Sequence, residues 1–387
     1  MLSMQTPTLG HYILPNLRSI QWRIHSWQFA PFLRLFLNPE LVDVHIEFPC
    51  NGPHLHRPAI VSLIPTRDLT HLRLGSMEKE DFSLDVLHNL LNEASETLRS
   101  VSLGGELSIA VIEKLLQLPN LRCLEVQLPG TRISLPAHTA VLPSLEKLAV
   151  IYREAGSWLH VLKNIPNSTL REIDATFLGS SPTHLQTLGN SLLDANLEET
   201  LISLKCFSGD GIPLTKAGIR PLLSFRRLTT LNLVSSCTEE RCGAQLNDSI
   251  ISELVMALPQ LTSLMLGGIP CEASTSDVTI TSLVAISTHC VELDILRLHF
   301  DTNDIISRDT HTNSRTHKFT CKLRTLSVGA QPLSSNHDDI LLVTFTILHI
   351  FPHVETILST GGDWDQVGRG VRLFRKAPRI TPFPAAN

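Results

Sequence analysis

Eight cysteines and seventeen histidines are the residues of this chain best suited to holding a metal, so their spacing is weighed first. The cysteines stand at positions 50, 123, 206, 237, 242, 271, 290 and 321. A structural zinc site wants two close pairs of thiolate or imidazole ligands at a recognisable spacing. Cys237-x4-Cys242 is one close pair and His289-Cys290 is adjacent in sequence, yet neither is answered by a second pair. Cys290 reads as a small buried hydrophobe closing a helix. His54-Leu55-His56, between Pro53 and Pro58, has no acid beside it and reads as surface. The expectation is a chain without metal or cofactor.

Phosphate binding and nucleophilic catalysis fare no better. Gly361-Gly362-Asp363-Trp364-Asp365-Gln366-Val367-Gly368-Arg369-Gly370 lacks the Lys-Ser/Thr of a phosphate-binding loop and opens no recognisable helix after a strand. It reads as a glycine-rich turn near a terminal tail, and Gly209-Asp210-Gly211 as an ordinary loop. No Gly-x-Ser-x-Gly exists to present a nucleophile. Glu125 and Asp174 are acids on strands that would stack near each other, an arrangement that chance supplies readily at a strand spacing of about 4.8 Å. No enzyme is expected.

The elements that would carry these residues repeat. Leu118-Pro119-Asn120-Leu121-Arg122-Cys123-Leu124-Glu125-Val126 recurs as Leu142-Pro143-Ser144-Leu145-Glu146-Lys147-Leu148-Ala149-Val150. Further copies begin at Leu14-Pro15-Asn16-Leu17 and Leu258-Pro259-Gln260-Leu261. The first leucine of each Leu-x-x-Leu gives the anchors Leu17, Leu41, Leu69, Leu98, Leu121, Leu145, Leu170, Leu201, Leu228, Leu261, Leu293 and Leu323, with Val354 a weaker thirteenth. Spacings of 23 to 33 residues leave room for one short strand and one helix-sized segment per unit. Each Leu-Pro has a mechanical reading: the leucine closes the helix's buried face, the proline ends the helix, and the next leucine starts the strand. The fold class expected is α/β, a leucine-rich-repeat solenoid of about 12–13 irregular strand–helix repeats, horseshoe-shaped and ribonuclease-inhibitor-like.

A solenoid of this kind needs no second core, so 387 residues fit one array. Residues 1–13 read as a short lead-in, 14–360 as the array, 301–318 as an exposed, mobile polar insertion, and 361–387 as a Gly/Pro-containing tail with a weak cap at best. For the open N-terminal end, either Trp27, Phe29, Phe32, Leu33, Phe36 and Leu37 fold back as cover, or a segment lies upstream. The start lacks a basic stretch followed by an apolar one, and no apolar window is long enough to span a bilayer. Together with dispersed cysteines this places the chain inside the cell, in cytoplasm or nucleus, away from membranes. A net charge of −5 and 5% aromatic residues provide neither a basic track nor stacking platforms, so nucleic acid is not expected.

Strand side chains alternate, so if the leucines face the core the residues of opposite parity line one continuous face. In order these are His45, Arg73, Ser102, Glu125, Ala149, Asp174, Lys205, Asn232, Met265, Arg297 and Ser327. Of these, His45, Arg73, Glu125, Asp174, Lys205, Asn232, Met265 and Arg297 are the candidate contacts for a protein or peptide. The row mixes both signs with apolar residues, unlike a surface built for a phosphate backbone.

The repeated Leu-Pro-x-Leu-x-x-Leu-x-Leu, the long uneven repeats and openings such as Ile13-Leu14-Pro15-Asn16-Leu17-Arg18 resemble the leucine-rich-repeat region of the large group of F-box proteins of mushroom-forming fungi. The resemblance spans roughly residues 13–360. It implies a substrate receptor of a Skp1–cullin–F-box ubiquitin ligase, in which an N-terminal F-box holds Skp1 and the repeats capture the substrate. The residues before Leu14 contain no F-box, so Skp1 binding is expected only with such a module upstream. The alternative is an orphan repeat scaffold with no adaptor and no role in ubiquitin transfer.

Overall fold

The architecture comes from a computed structural model that describes residues 12–49, 56–76, 84–130, 142–154, 161–162, 165, 169–179, 181, 183–209, 214–236, 246–269, 277–307, 319–328, 336–359 and 364–376. The chain divides into two compact units, Met1–Gly179 with Asp194–Thr200, and Ser180–Leu193 with Leu201–Asn387. Both are repeating parallel strand–helix arrangements.

In the first unit the strands are β1 (Ser19–Arg23), β2 (Asp43–Phe48), β3 (His71–Ser76), β4 (Ser100–Glu106), β5 (Cys123–Gln127), β6 (Lys147–Tyr152) and β7 (Glu172–Phe177). Each pairs in parallel with the next. The second unit carries β8 (Ser203–Ser208), β9 (Thr230–Ser236), β10 (Ser263–Ile269), β11 (Ile295–Arg297), β12 (Thr325–Ser327) and β13 (Thr356–Leu358), again parallel and in order. A parallel neighbour requires a crossover. The segments between strands supply it, with helices such as Leu84–Glu93, Ile109–Leu116, Asp248–Ala257 and Ile280–His289.

Why the repeats hold register is visible in the backbone. The residue after each anchor leucine offers one carbonyl oxygen to two successive N–H groups of the next repeat. Arg18 accepts from Val42 and Asp43, Val42 from Thr70 and His71, and so on through Glu146, which accepts from Arg171 and Glu172. Within the second unit the series resumes at Ile202 and runs to Arg324, which accepts from Glu355 and Thr356. These bonds measure 2.7–3.2 Å. Their stagger matches the anchors read from the sequence, Val354 included. From Leu41 to Val354 every anchor side chain is fully buried, and Leu124 and Val126 sit in the core as the alternation requires.

The leucine that opens the Leu-Pro motif is also buried at Leu118, Leu142 and Leu258, and exposed at Leu14. Where that position is not leucine, it is a buried phenylalanine at Phe225 and Phe351 and a polar residue at Asn38. Asn38 donates from Nδ2 to the carbonyls of Leu14 and Leu17, both at 2.9 Å. Cys321, two residues before its anchor Leu323 instead of three, points Sγ at the carbonyls of Cys290 (3.3 Å) and Leu293 (3.9 Å), the equivalent pair one repeat earlier. A donor at this junction adds a side-chain bond from the neighbouring repeat to these turn carbonyls, two of which also accept from the anchor N–H groups of Leu17 and Leu293. Cys206, Cys290 and Cys321 are buried and Cys123 is half-exposed, whereas Cys50, Cys237, Cys242 and Cys271 lie outside the described residues.

Helix starts follow their caps. Asn247 caps Asp248–Ala257, its side chain accepting from the Ile250 N–H at 3.0 Å. Asp248 reaches instead to the next helix. Its Oδ1 accepts from the Thr279 N–H at 2.8 Å, and its carboxylate also accepts from the Thr279 and Ser282 hydroxyls. At the N-terminal end Ala30, Leu33 and Leu37 are buried and Trp22 packs against Phe36 at 5.3 Å, but Phe29 and Phe32 stay exposed. That cover is partial.

Two expectations are corrected. The polar stretch 301–318 is not wholly an exposed insertion: Asn303–Ser307 is a helical turn with Thr302 and Ile305 buried, while 308–318 lie outside the described residues. One apolar residue on a short turn suffices to dock it. The segment read as glycine-rich turn and tail contains the helix Trp364–Lys376, which packs on β13 and on the helix His337–Ile350. Trp364, Val367 and Val371 form its buried stripe, at the i, i+3, i+7 spacing of one helix face. Gly368 and Gly370 let it approach closely, since a side chain's first carbon would stand 3.7 Å from Ile357 Cβ and 3.1 Å from Thr344 Cγ2. Among the described residues no helix is long and apolar enough to cross a membrane.

Candidate binding surface

Alternation in the first unit turns Ser19, Gln21 and Arg23 of β1 away from the core, then Asp43, His45 and Glu47 of β2, and onward through Glu172, Asp174 and Thr176 of β7. Strand pairing places Gln21, His45, Arg73, Ser102, Glu125, Ala149 and Asp174 in one register row. A shallow depression of about 280 Å³ lies over β1 to β5, lined by Gln21, Asp43, His45, His71, Arg73 and Glu125 among others. The sequence row thus collects four of its candidates, His45, Arg73, Glu125 and Asp174, on one face, three of them at the depression. His71 and Asp43 were not among the candidates, although they share the parity of Arg73 and His45 one step earlier on each strand.

Charges on this face are largely answered from within. Arg23 Nε lies 3.3 Å from Glu47 Oε2, and Lys147 Nζ 3.4 Å from Glu172 Oε2. Ser102 donates to Glu125 at 2.9 Å and Ser19 to Asp43 at 3.1 Å. His45 Nε2 approaches Glu47 Oε1 to 3.3 Å, near enough for attraction but outside hydrogen-bond geometry. Arg73 is exposed and has no ion pair among the described residues. Such exposed pairs contribute little to stability, so they are available for exchange with a partner's groups.

The second unit presents Lys205, Asn232, Met265, Arg297, Ser327 and Leu358 in one row. Ser263 donates to Asn232 Oδ1 at 3.3 Å. Burial pushes the Arg297 guanidinium below its ordinary range. The imidazole of His299 is lowered as well, first by burial and then by the charge of Arg297, against a hydrogen bond to the Gly268 backbone.

Among the described residues no three His, Cys, Asp or Glu side chains gather to hold a metal ion. Burial pushes the Cys290 thiol up to about 12, which keeps it protonated and disqualifies it as nucleophile or ligand. Glu125 and Asp174 stand two strands apart with Ala149 between them, about 10 Å by strand spacing, too far to share a proton. Residues 54, 237, 242, 210–213 and 361–363 lie outside the described residues, as does the side chain of His56. A second depression of about 320 Å³ follows the strand starts of the first unit, lined by turn residues such as Glu96, Arg99, Asn120 and Arg122. Asn120 donates there to the Glu96 carbonyl at 2.8 Å and Arg122 pairs with Glu146 at 3.5 Å.

No protein-family model matches the chain, and no curated protein matches it. A chain in the crystal structure of the Rad7 and Elc1 complex in yeast is similar to it at 17% identity, over 81% of this chain and 70% of that one, with a TM-score of 0.42. A likeness of that size carries no information about function.

Proposed function

We propose that the chain is a leucine-rich-repeat module of the horseshoe, ribonuclease-inhibitor-like type, non-enzymatic, whose strand face binds a protein or peptide. The observation behind this is the register row Gln21 to Asp174, with its continuation in kind from Lys205 to Arg297. It is a repeated sheet face carrying polar and charged side chains that no core or reaction requires. Repeat arrays use such faces for extended binding. Selecting displayed random peptides on the purified chain tests the reading. The selected peptides are expected to lose about tenfold or more in affinity on Arg73→Glu or Lys205→Glu, the scale of a lost charged hydrogen bond. Asp85→Arg, on the exposed side of the helix Leu84–Glu93, should leave them unchanged. Peptides indifferent to both strand variants would overturn it.

The finer reading is substrate recognition for a Skp1–cullin–F-box ubiquitin ligase inside the cell. It draws on the resemblance of the Leu-Pro-x-Leu repeats and requires an F-box upstream of Leu14. Skp1 should then co-purify with the product of the complete transcript. If it does not, the ligase role falls and an adaptor-free repeat scaffold remains.

A further inference from the structure

Resting on the binding reading above, we infer that the strand face of the second unit takes an acidic, extended protein segment with an apolar residue between its carboxylates. Alternate positions of β8 to β13 turn outward, and the described ones within these strands include Lys205 and Arg297, with no aspartate or glutamate among them. The first unit's face, by contrast, carries Asp43, Glu47, Glu125, Glu172 and Asp174 and pairs most of its cations. Neither Lys205 nor Arg297 has an ion pair among the described residues. Arg297 is half-buried, and a desolvated guanidinium without a counter-charge is costly and well shaped for a carboxylate fork.

Geometry narrows the ligand further. The row runs Lys205, Asn232, Met265, Arg297, each on the next strand, so the two cations stand about 14 Å apart, the length of about four residues of extended chain. Between them Met265 supplies an adaptable apolar surface. Beside it Gly267, at φ +102°, leaves open space where a side chain would begin, next to Val234. Two acidic residues four apart with an apolar one between them would meet Lys205, the Met265 side chain and Arg297 in turn. A nucleic-acid backbone, with a charge at every nucleotide, would want a closer series of cations.

The displayed-peptide selection decides the matter through the sequences it returns. Expected is enrichment of acidic pairs four residues apart, with synthetic copies weakened about tenfold or more by Lys205→Glu and by Arg297→Gln, weakened by added salt, and unmoved by Arg73→Glu. Lys205 is fully on the surface, so its variant tests the idea even if substituting Arg297 disturbs folding. Peptides that need Arg73 but show no acidic enrichment, or ignore Lys205→Glu and Arg297→Gln, would overturn this inference and leave the binding reading intact. Peptides indifferent to every strand variant would remove both. Displacement of the acidic peptides by oligothymidylate at equal concentration would reassign the cations to phosphate and also overturn it.

Discussion

Replacing Trp364 by alanine is expected to lower the stability of the second unit by about 3–5 kcal/mol, the usual range for a large aromatic removed from a core. Trp364 is among the largest fully buried side chains of the molecule and meets Phe300 edge-on, with ring centroids 5.8 Å apart. It begins the helix Trp364–Lys376, whose buried stripe lies against β13 and the helix His337–Ile350. A repeat's core face must be covered by what packs beside it, and this helix covers the repeat that carries β13. Arg375 pins its far end, with one guanidinium nitrogen 3.3 Å from Glu355 Oε1 and the other donating to the Pro352 carbonyl at 3.4 Å. Leu373→Ser, at a position 69% exposed on the same helix, is the control and should change stability by less than about 0.5 kcal/mol. Because terminal repeats open separately from the rest, the readout is urea unfolding together with amide exchange at Thr356, Ile357 and Leu358. Trp364→Ala behaving like Leu373→Ser would mean that the helix does not stabilise the repeat that carries β13.

That helix also marks where the sequence stopped being readable. Leu69, Leu121 and Leu261 announce strands because buried leucines recur at one spacing and proline fixes the helix exit, so the repeating strand–helix arrangement, strand parity and the rows His45 to Asp174 and Lys205 to Arg297 follow from local pattern. Trp364, Val367 and Val371 form a stripe of only three, interrupted by Gly368 and Gly370. Glycine costs about 1 kcal/mol in a helix interior, so local propensity argues against an element that close packing on Ile357 and Thr344 stabilises. Ile305 is similar: its polar neighbours spell a loop, and only the core waiting beneath it makes a turn of helix. Composition could not reveal the charge asymmetry of the two strand faces either. Lys205 and Arg297 are separated by 92 positions in the chain, and that they share a face without a carboxylate appears only when β8 to β11 are laid side by side. The same holds for Asn38 and Cys321, unlike in chemistry and one residue apart in the repeat, each donating to the equivalent pair of carbonyls of the preceding repeat.

Acid is expected to weaken the second unit through His184, well before its carboxylates are titrated. His184 opens the helix His184–Asp194 and is buried, and burial lowers its imidazole from 6.5 to about 4. The unfolded chain therefore takes up a proton near pH 6.5 that the folded chain refuses until about pH 4. Between those values the unfolded state binds more protons, so stability rises with pH there: it is full above pH 6.5, falls on acidification, and levels off below pH 4. At about 1.4 kcal/mol per pH unit, the loss is about 2 kcal/mol by pH 5 and about 3 kcal/mol in full. His299, lowered for the same first reason, adds in the same direction. Urea midpoints of the parent chain and of His184→Gln, compared at pH 7 and pH 5, isolate the contribution, because the variant keeps every other titrating group. The variant should lose about 2 kcal/mol less than the parent over that interval, even if it starts from a lower stability at pH 7. Parallel losses in the two proteins would mean that His184 takes up its proton in the folded state as readily as in the unfolded one, and the acid sensitivity would have to be sought at His299 instead.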